Sequence, residues 1–159
     1  MIANQRIAVL TAALLLATLA LETNAGGKAV RIDSTSKVKA TVTATPVGAD
    51  GKQVVTLMLD IDKGWHLYAN PTENKTTEPA RTIVTVKAKN KLTAQVQYPV
   101  GKVYVHAGDT YKIYQGHVIL PVQIQRPLGD TSPLEVIVNV SACDADACLL
   151  PGTIRLSIP

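Results

Sequence analysis

The sequence predicts an all-β protein, and three observations carry that reading. Apolar and polar residues alternate with a period of two over most of the chain, the pattern of half-buried strands. Strand candidates recur roughly every ten residues and are parted by Gly, Pro, Asn and Asp. No stretch after residue 26 has the spacing of an amphipathic helix. Such a pattern belongs to a β-sandwich or barrel, and one sandwich of about 100 residues fits residues 38–159.

The elements follow in order. Residues 26–35 read as an irregular lead-in. Val38, Ala40, Val42 and Ala44 then alternate with Lys39, Thr41 and Thr43. Asp50-Gly51 marks a hairpin, because a type I′ turn needs positive φ at both central positions. Val55, Leu57, Leu59 and Ile61 form the inward face of the next strand. Shorter strands are expected at Trp65–Ala69, Thr82–Lys87, Ala94–Tyr98 and Lys102–Val105. The longest loop runs from Asn70 to Arg81. Val118, Leu120, Val122 and Ile124 share a face, but Pro121 lies among them, which predicts an edge strand or a bulge. Leu134, Val136, Val138 and Val140 make another inward face, and Ile154, Leu156 and Ile158 make the last. Trp65 is expected to anchor the core.

The N-terminus has its own signature. Arg6 precedes an apolar run, Ile7–Leu21, of 15 residues. A spanning helix needs about 20 apolar residues, and a secretory core needs about 7 to 15. Thr23-Asn24-Ala25 supplies a cleavage site, so residues 1–25 are expected to be a signal peptide. The remaining chain would then have no membrane span and would be periplasmic or secreted, where disulfides persist.

Composition excludes several classes. Two cysteines rule out a disulfide-dense scaffold and a four-cysteine zinc site. A net charge of +4 without a clustered basic run argues against nucleic acid. His66, His106 and His117 show no metal-ligand spacing, so no metal and no other cofactor is expected. They read as isolated surface histidines, and Asp60 and Asp62 as solvated.

The informative segment is Cys143-Asp144-Ala145-Asp146-Ala147-Cys148. A bridge across so short a loop stabilises by roughly 2 kcal/mol, against about 4.7 for a 100-residue loop. It cannot join distant strands, so it is a weak staple. The residues alone leave a redox pair and a structural clip both open. Asp144 and Asp146 disfavour thiolate and argue against a reactive resting nucleophile.

The chain also resembles a known family. Lys63-Gly64-Trp65-His66-Leu67-Tyr68-Ala69-Asn70 is similar to a glycine–aromatic–Leu–Tyr strand of the N-terminal periplasmic domain of DsbD. Gln97-Tyr98-Pro99, Tyr114-Gln115-Gly116, Val118–Val122 and Cys148-Leu149-Leu150-Pro151 follow in the family's order, so the resemblance covers about residues 36–159. It implies an immunoglobulin-like β-sandwich with a redox-active Cys143/Cys148 pair. Cys148 would form the mixed disulfide with partners and Cys143 would resolve it. Electrons would come from a thioredoxin-like or membrane thiol reductase and pass to extracytoplasmic disulfide isomerase-like or other thiol proteins. A cap loop is expected near Val105–Tyr111. The chain has no phenylalanine to serve as the family's cap residue. Tyr68, His106, Tyr111 and Tyr114, with Tyr104 beside them, are the candidates to line or cover the pair. The four residues between the cysteines are fewer than in the best-known members. No membrane or thioredoxin-like domain is recognised, so the module is expected to stand alone and take electrons from another protein. The alternative is a non-enzymatic immunoglobulin-like binding module with a structural Cys143–Cys148 clip.

Overall fold

Residues 32–159 are described by the computed structural model. The expected signal peptide, and the lead-in as far as residue 31, lie outside the described residues. The strands are β1 (Val38–Ala44), β2 (Lys52–Ile61), β3 (His66–Tyr68), β4 (Ile83–Ala88), β5 (Thr93–Val96) and β6 (Lys102–His106). They continue as β7 (Asp109–Tyr114), β8 (His117–Gln125), β9 (Leu134–Val140), β10 (Ala142–Cys143) and β11 (Gly152–Ile158). Among the described residues these make three antiparallel sheets, ordered β1-β2-β8-β5, β11-β9-β4 and β10-β3-β7-β6. The first two close over one core as an immunoglobulin-like sandwich. The third carries the chain onward at one end, because β7 runs into β8 and β9 runs into β10. Among the described residues, no helix is long and apolar enough to cross a membrane.

Period-two alternation builds the core. Val55, Leu57 and Leu59 of β2 and Leu120 and Val122 of β8 are fully buried, with Leu57 opposite Leu120 in the ladder. Leu134, Val136, Val138 and Val140 of β9 face them from the other sheet. Ile137, on the opposite face of β9, is buried as well. Trp65 packs against this core only half-buried, with Lys37 Nζ 5.0 Å above its ring. It is an amphipathic cover at the sandwich end more than an anchor within it.

Two local expectations, the Asp50-Gly51 turn and the place of Pro121, need correction. Only Gly51 of the Asp50-Gly51 pair has positive φ, at 78°. The hairpin is a longer one in which Gly48 N–H donates to Lys52 O and Gly51 N–H to Gly48 O. The two-residue turn with both positions positive is at Ala107-Gly108, with φ of 50° and 86°, where His106 pairs with Asp109. The expected cap loop over Val105–Tyr111 is therefore the tip of the β6–β7 hairpin. Pro121 sits in β8, an interior strand without a bulge. Its carbonyl accepts from Gln97 N–H just past the end of β5, so its missing N–H falls at a frayed edge and spares the β2 ladder. In the described part of the lead-in, Asp33 bridges to Leu150 and caps a 3-10 turn over Ser34–Lys37.

A buried polar cluster closes the far end. Arg126 donates to Gln53 Oε1 at 3.0 Å and to the Ser132 carbonyl, and lies 3.4 Å from Asp130 Oδ1. Asp130 accepts from Ser132 N–H at 2.9 Å. That bond, then the Ser132 hydroxyl and the neighbouring Arg126, hold its carboxyl down from 3.8 to about 2. A depressed carboxyl gives stability that is complete above its unfolded value and lost as pH falls through the folded one. Denaturant midpoints should therefore decline between pH 4 and pH 2 in the native chain and decline less in Asp130→Asn. Identical acid slopes would remove Asp130 from this role.

Candidate functional site

Three residues of β3 determine which side chains meet the cysteines. β3 lies between β10 and β7, with Cys143 opposite His66, Ala142 opposite Leu67, Leu67 opposite Tyr114 and Tyr68 opposite Ile113. Alternate residues of a strand face opposite sides. Leu67 therefore points into the core with Ala142 and Tyr114, while His66 and Tyr68 share the other face with Cys143. β6 and β7 extend that face with Tyr104 and Tyr111, which pair directly.

The result is an aromatic bed beside the disulfide. His66 and Tyr104 have ring centroids 4.8 Å apart, Tyr68 and Tyr111 5.5 Å, and Tyr104 and Tyr111 5.6 Å. His106 stacks on Tyr104 from the exposed edge at 6.3 Å. Tyr68 sits centrally: its hydroxyl donates to Cys143 Sγ at 3.5 Å and lies 3.9 Å from Cys148 Sγ. Burial raises the Tyr68 phenol above its ordinary value, so it is a proton donor at neutral pH.

Cys143 and Cys148 are joined as a disulfide, and the two sulfurs differ in access. Cys143 is 2% exposed because it ends a strand that continues the core, whereas Cys148 is exposed on the returning arm. The loop between them is a small hairpin. Asp144 N–H donates to Ala147 O at 2.9 Å, and Leu149 N–H donates to Ala142 O at 2.9 Å. The Asp144 carboxylate accepts from Asp146 N–H at 2.9 Å and Ala147 N–H at 2.8 Å. Those two bonds, aided by the nearby His66, hold its carboxyl below the usual range and keep it ionised.

Ser34 fastens the other side of the arm. It is fully buried, accepts from Ala142 N–H at 2.8 Å and donates from its hydroxyl to Leu150 O at 2.8 Å. Gly152 permits this approach, since a Cβ there would lie 2.6 Å from Thr35 Cγ2. Sequence reasoning missed Ser34. The signal was present in Asp33-Ser34-Thr35-Ser36, a run of capping residues before a strand.

The expected site residues divide. Tyr68, Tyr111 and His106 lie in the aromatic bed, with Tyr104. Tyr114 does not, because it is three positions from Tyr111 and points to the core. Its buried hydroxyl accepts from Asn70 N–H at 3.2 Å and donates to Pro99 O at 3.0 Å. The histidines are not isolated at the surface. His66 is 2% exposed and its Nε2 has no partner, an arrangement that costs about 1–3 kcal/mol. His117 Nδ1 pairs with Asp60 at 2.6 Å, so Asp60 is not merely solvated. Strand parity with Tyr68 was the signal that could have placed His66 at the cysteines. Among the described residues no group of three or more ligating side chains is arranged to hold a metal.

A family model described as "Thiol:disulfide interchange protein DsbD, N-terminal" matches residues 34–158. The chain belongs to this family. Solved structures agree on the fold. The N-terminal periplasmic domain of ScsB from Proteus mirabilis superposes with a TM-score of 0.58 at 14% identity, covering 77% of this chain and 46% of that one. The chain thus spans about half the length of that relative. The DsbD N-terminal domain of Neisseria meningitidis, solved in complex with the PilB N-terminal domain, gives 0.55 at 13% identity over 80% of this chain and 86% of that one. No curated protein matches the chain significantly.

In this DsbD-type domain Asp144 organises the loop that holds the two sulfurs together. Asp144→Ala should loosen it and make the disulfide easier to reduce. Each tenfold loss of effective thiol concentration corresponds to about 30 mV, read in a glutathione titration. A midpoint unchanged from the native protein would show that the bond itself sets the loop.

Proposed function

We propose that this protein is an extracytoplasmic thiol:disulfide interchange module that works through Cys143 and Cys148. The observation that carries the reading is the unequal access of the two sulfurs in an aromatic bed. An incoming partner thiolate can reach only the exposed Cys148 Sγ. Its attack breaks the Cys143–Cys148 bond, and the electron pair leaves on Cys143 Sγ, which takes up a proton. The partner's second thiolate then attacks its own sulfur in the mixed disulfide and releases Cys148 as a thiolate, which takes up the second proton from solvent. Two electrons and two protons have entered the module, and the reverse sequence delivers them to an acceptor disulfide. Cys148 is the partner-facing sulfur and Cys143 the resolving one.

The donor in this reading is a thioredoxin-like or membrane thiol reductase, and the acceptors are disulfide isomerase-like or other thiol proteins. The complex between the meningococcal DsbD and PilB N-terminal domains supports a protein partner for a domain of this kind. Residues 1–25 act as the signal peptide and residues 36–159 as the working domain, in the periplasm or outside the cell. Tyr68, Tyr104 and Tyr111 shield the buried sulfur in place of the family's phenylalanine.

Redox titration with thiol trapping tests the reading. A midpoint above about −300 mV fits exchange, and a pair still oxidised below that value is a structural clip. Cys143→Ser should accumulate a mixed disulfide through Cys148 with a thioredoxin-like donor, while Cys148→Ser should not. Trapping through Cys143 would reverse the two roles.

A further inference from the structure

His66 is the one group in the bed that exchange at the sulfurs does not by itself explain. It is 2% exposed, yet its Nε2 meets no protein donor or acceptor. Buried polar atoms are otherwise almost always paired, so an orphan beside a reactive bond is informative. Its position follows from the ladder. His66 stands directly opposite Cys143, and directly opposed residues have Cβ atoms about 4.5–5.5 Å apart. Both side chains lie on the aromatic face, so the imidazole stands beside the buried sulfur, with no hydrogen bond between them while the disulfide is closed.

We propose that His66 carries the proton of Cys143 during exchange, giving it up when the sulfur leaves and taking it back when the sulfur attacks. The inference rests on the exchange reading above. When a partner thiolate breaks the disulfide at Cys148, negative charge develops on Cys143 Sγ in a site closed to water. Imidazolium at His66 donates a proton there, so Cys143 ends as a thiol and His66 as neutral imidazole. In the delivery direction, neutral His66 accepts the Cys143 S–H proton while that sulfur attacks Cys148 Sγ. The acceptor is released as a thiolate and the Cys143–Cys148 bond re-forms. Atoms and electrons balance, because the proton moves only between Sγ and the ring nitrogen.

The surroundings suit a shuttle. The groups facing His66 are Tyr68 on its own strand, Tyr104 and His106 on β6, and Cys143 and Asp144 at β10, with Tyr111 behind the tyrosines. Burial lowers the His66 value most, Asp144 pulls it up and His106 pushes it down. The ring is thus neutral at neutral pH, the state that accepts a proton. The tyrosines cannot substitute as bases. Tyr68 and Tyr111 are held as phenols by burial, and a phenol can only donate to the sulfur.

The test uses the whole protein and dithiothreitol as the attacking thiol. Rates of disulfide reduction are measured between pH 5 and pH 8 and divided by the dithiothreitol thiolate concentration. In the native chain this normalised rate should rise toward acid as His66 becomes protonated, by about tenfold or more for a positioned acid. His66→Gln should give a flat, slower profile with an unchanged redox midpoint. A His66→Gln profile that matches the native one overturns the proposal. If the variant does not fold, the native protein suffices: the His66 imidazole titration, followed by NMR, should shift between oxidised and reduced forms. No shift refutes the shuttle. Failure of exchange itself looks different, since the native midpoint would then fall below about −300 mV and both profiles would be slow.

Discussion

The site depends on the register of one three-residue strand. Leu67 is fully buried against Ala142 and Tyr114, and this apolar contact holds β3 between β10 and β7. A slip of one residue would turn every β3 side chain to the other face. His66 and Tyr68 would enter the core and Leu67 would face the sulfurs. The register is thus specified by hydrophobic burial on one side, and the chemistry on the other inherits it. The same parity sorts β6 and β7. Tyr104 and Tyr111 join the bed and Tyr114 goes to the core, while Val103 and Val105, on the same side as Tyr114 but on the edge strand, stay 68% and 67% exposed.

The difference between the two cysteines follows from the strand that leads to them. β9 is the central strand of its sheet, and it runs almost directly into β10, so Cys143 inherits the position of a core strand. Cys148 comes after a turn and starts the return arm. Ser34 ties that arm to the end of β10 with bonds to Ala142 and Leu150, outside the span between the sulfurs. The pair is held from both flanks while its tip remains open. For the proposed exchange, a rigid frame with one accessible sulfur would present Cys148 in line for an incoming thiolate.

Much of the fold was legible because burial writes itself into alternation. Val55 to Ile61, Val118 to Ile124 and Leu134 to Val140 were each assigned to the right face. The errors have local causes. Asp50-Gly51 matches a turn dipeptide, yet a longer loop satisfies the same chain reversal with one positive φ. Ala107 takes positive φ without being Gly, Asn or Asp, so that hairpin carried no strong signal. Pro121 argued for an edge because propensity rules do not know which neighbour a carbonyl meets. At the site, Cys143, Cys148 and Tyr68 stood out by motif. His66 did not, because it packs on Tyr104 of β6, a contact made across the intervening strand β7.

The electrostatics of the bed oppose thiolate at the Cys143–Cys148 pair that the proposed exchange would use. Asp144 is fixed as an anion by two backbone N–H groups, and it lies beside Cys143 in sequence. It opposes thiolate on either sulfur, and so does burial at Cys143. Against them stands the Tyr68 hydroxyl, which already points at Cys143 Sγ. A donor aimed at the atom where charge develops helps most when the bond is breaking, and little before. Small thiols meet the opposing charge with the Tyr68 contact still open to water. A protein partner that covers Cys148 also excludes water from the bed, which strengthens the Tyr68 contact in the lowered dielectric. In the proposed exchange a docked protein would therefore gain more from Tyr68 than a free thiol does, through the same strand parity that placed Tyr68 and Cys143 on one face.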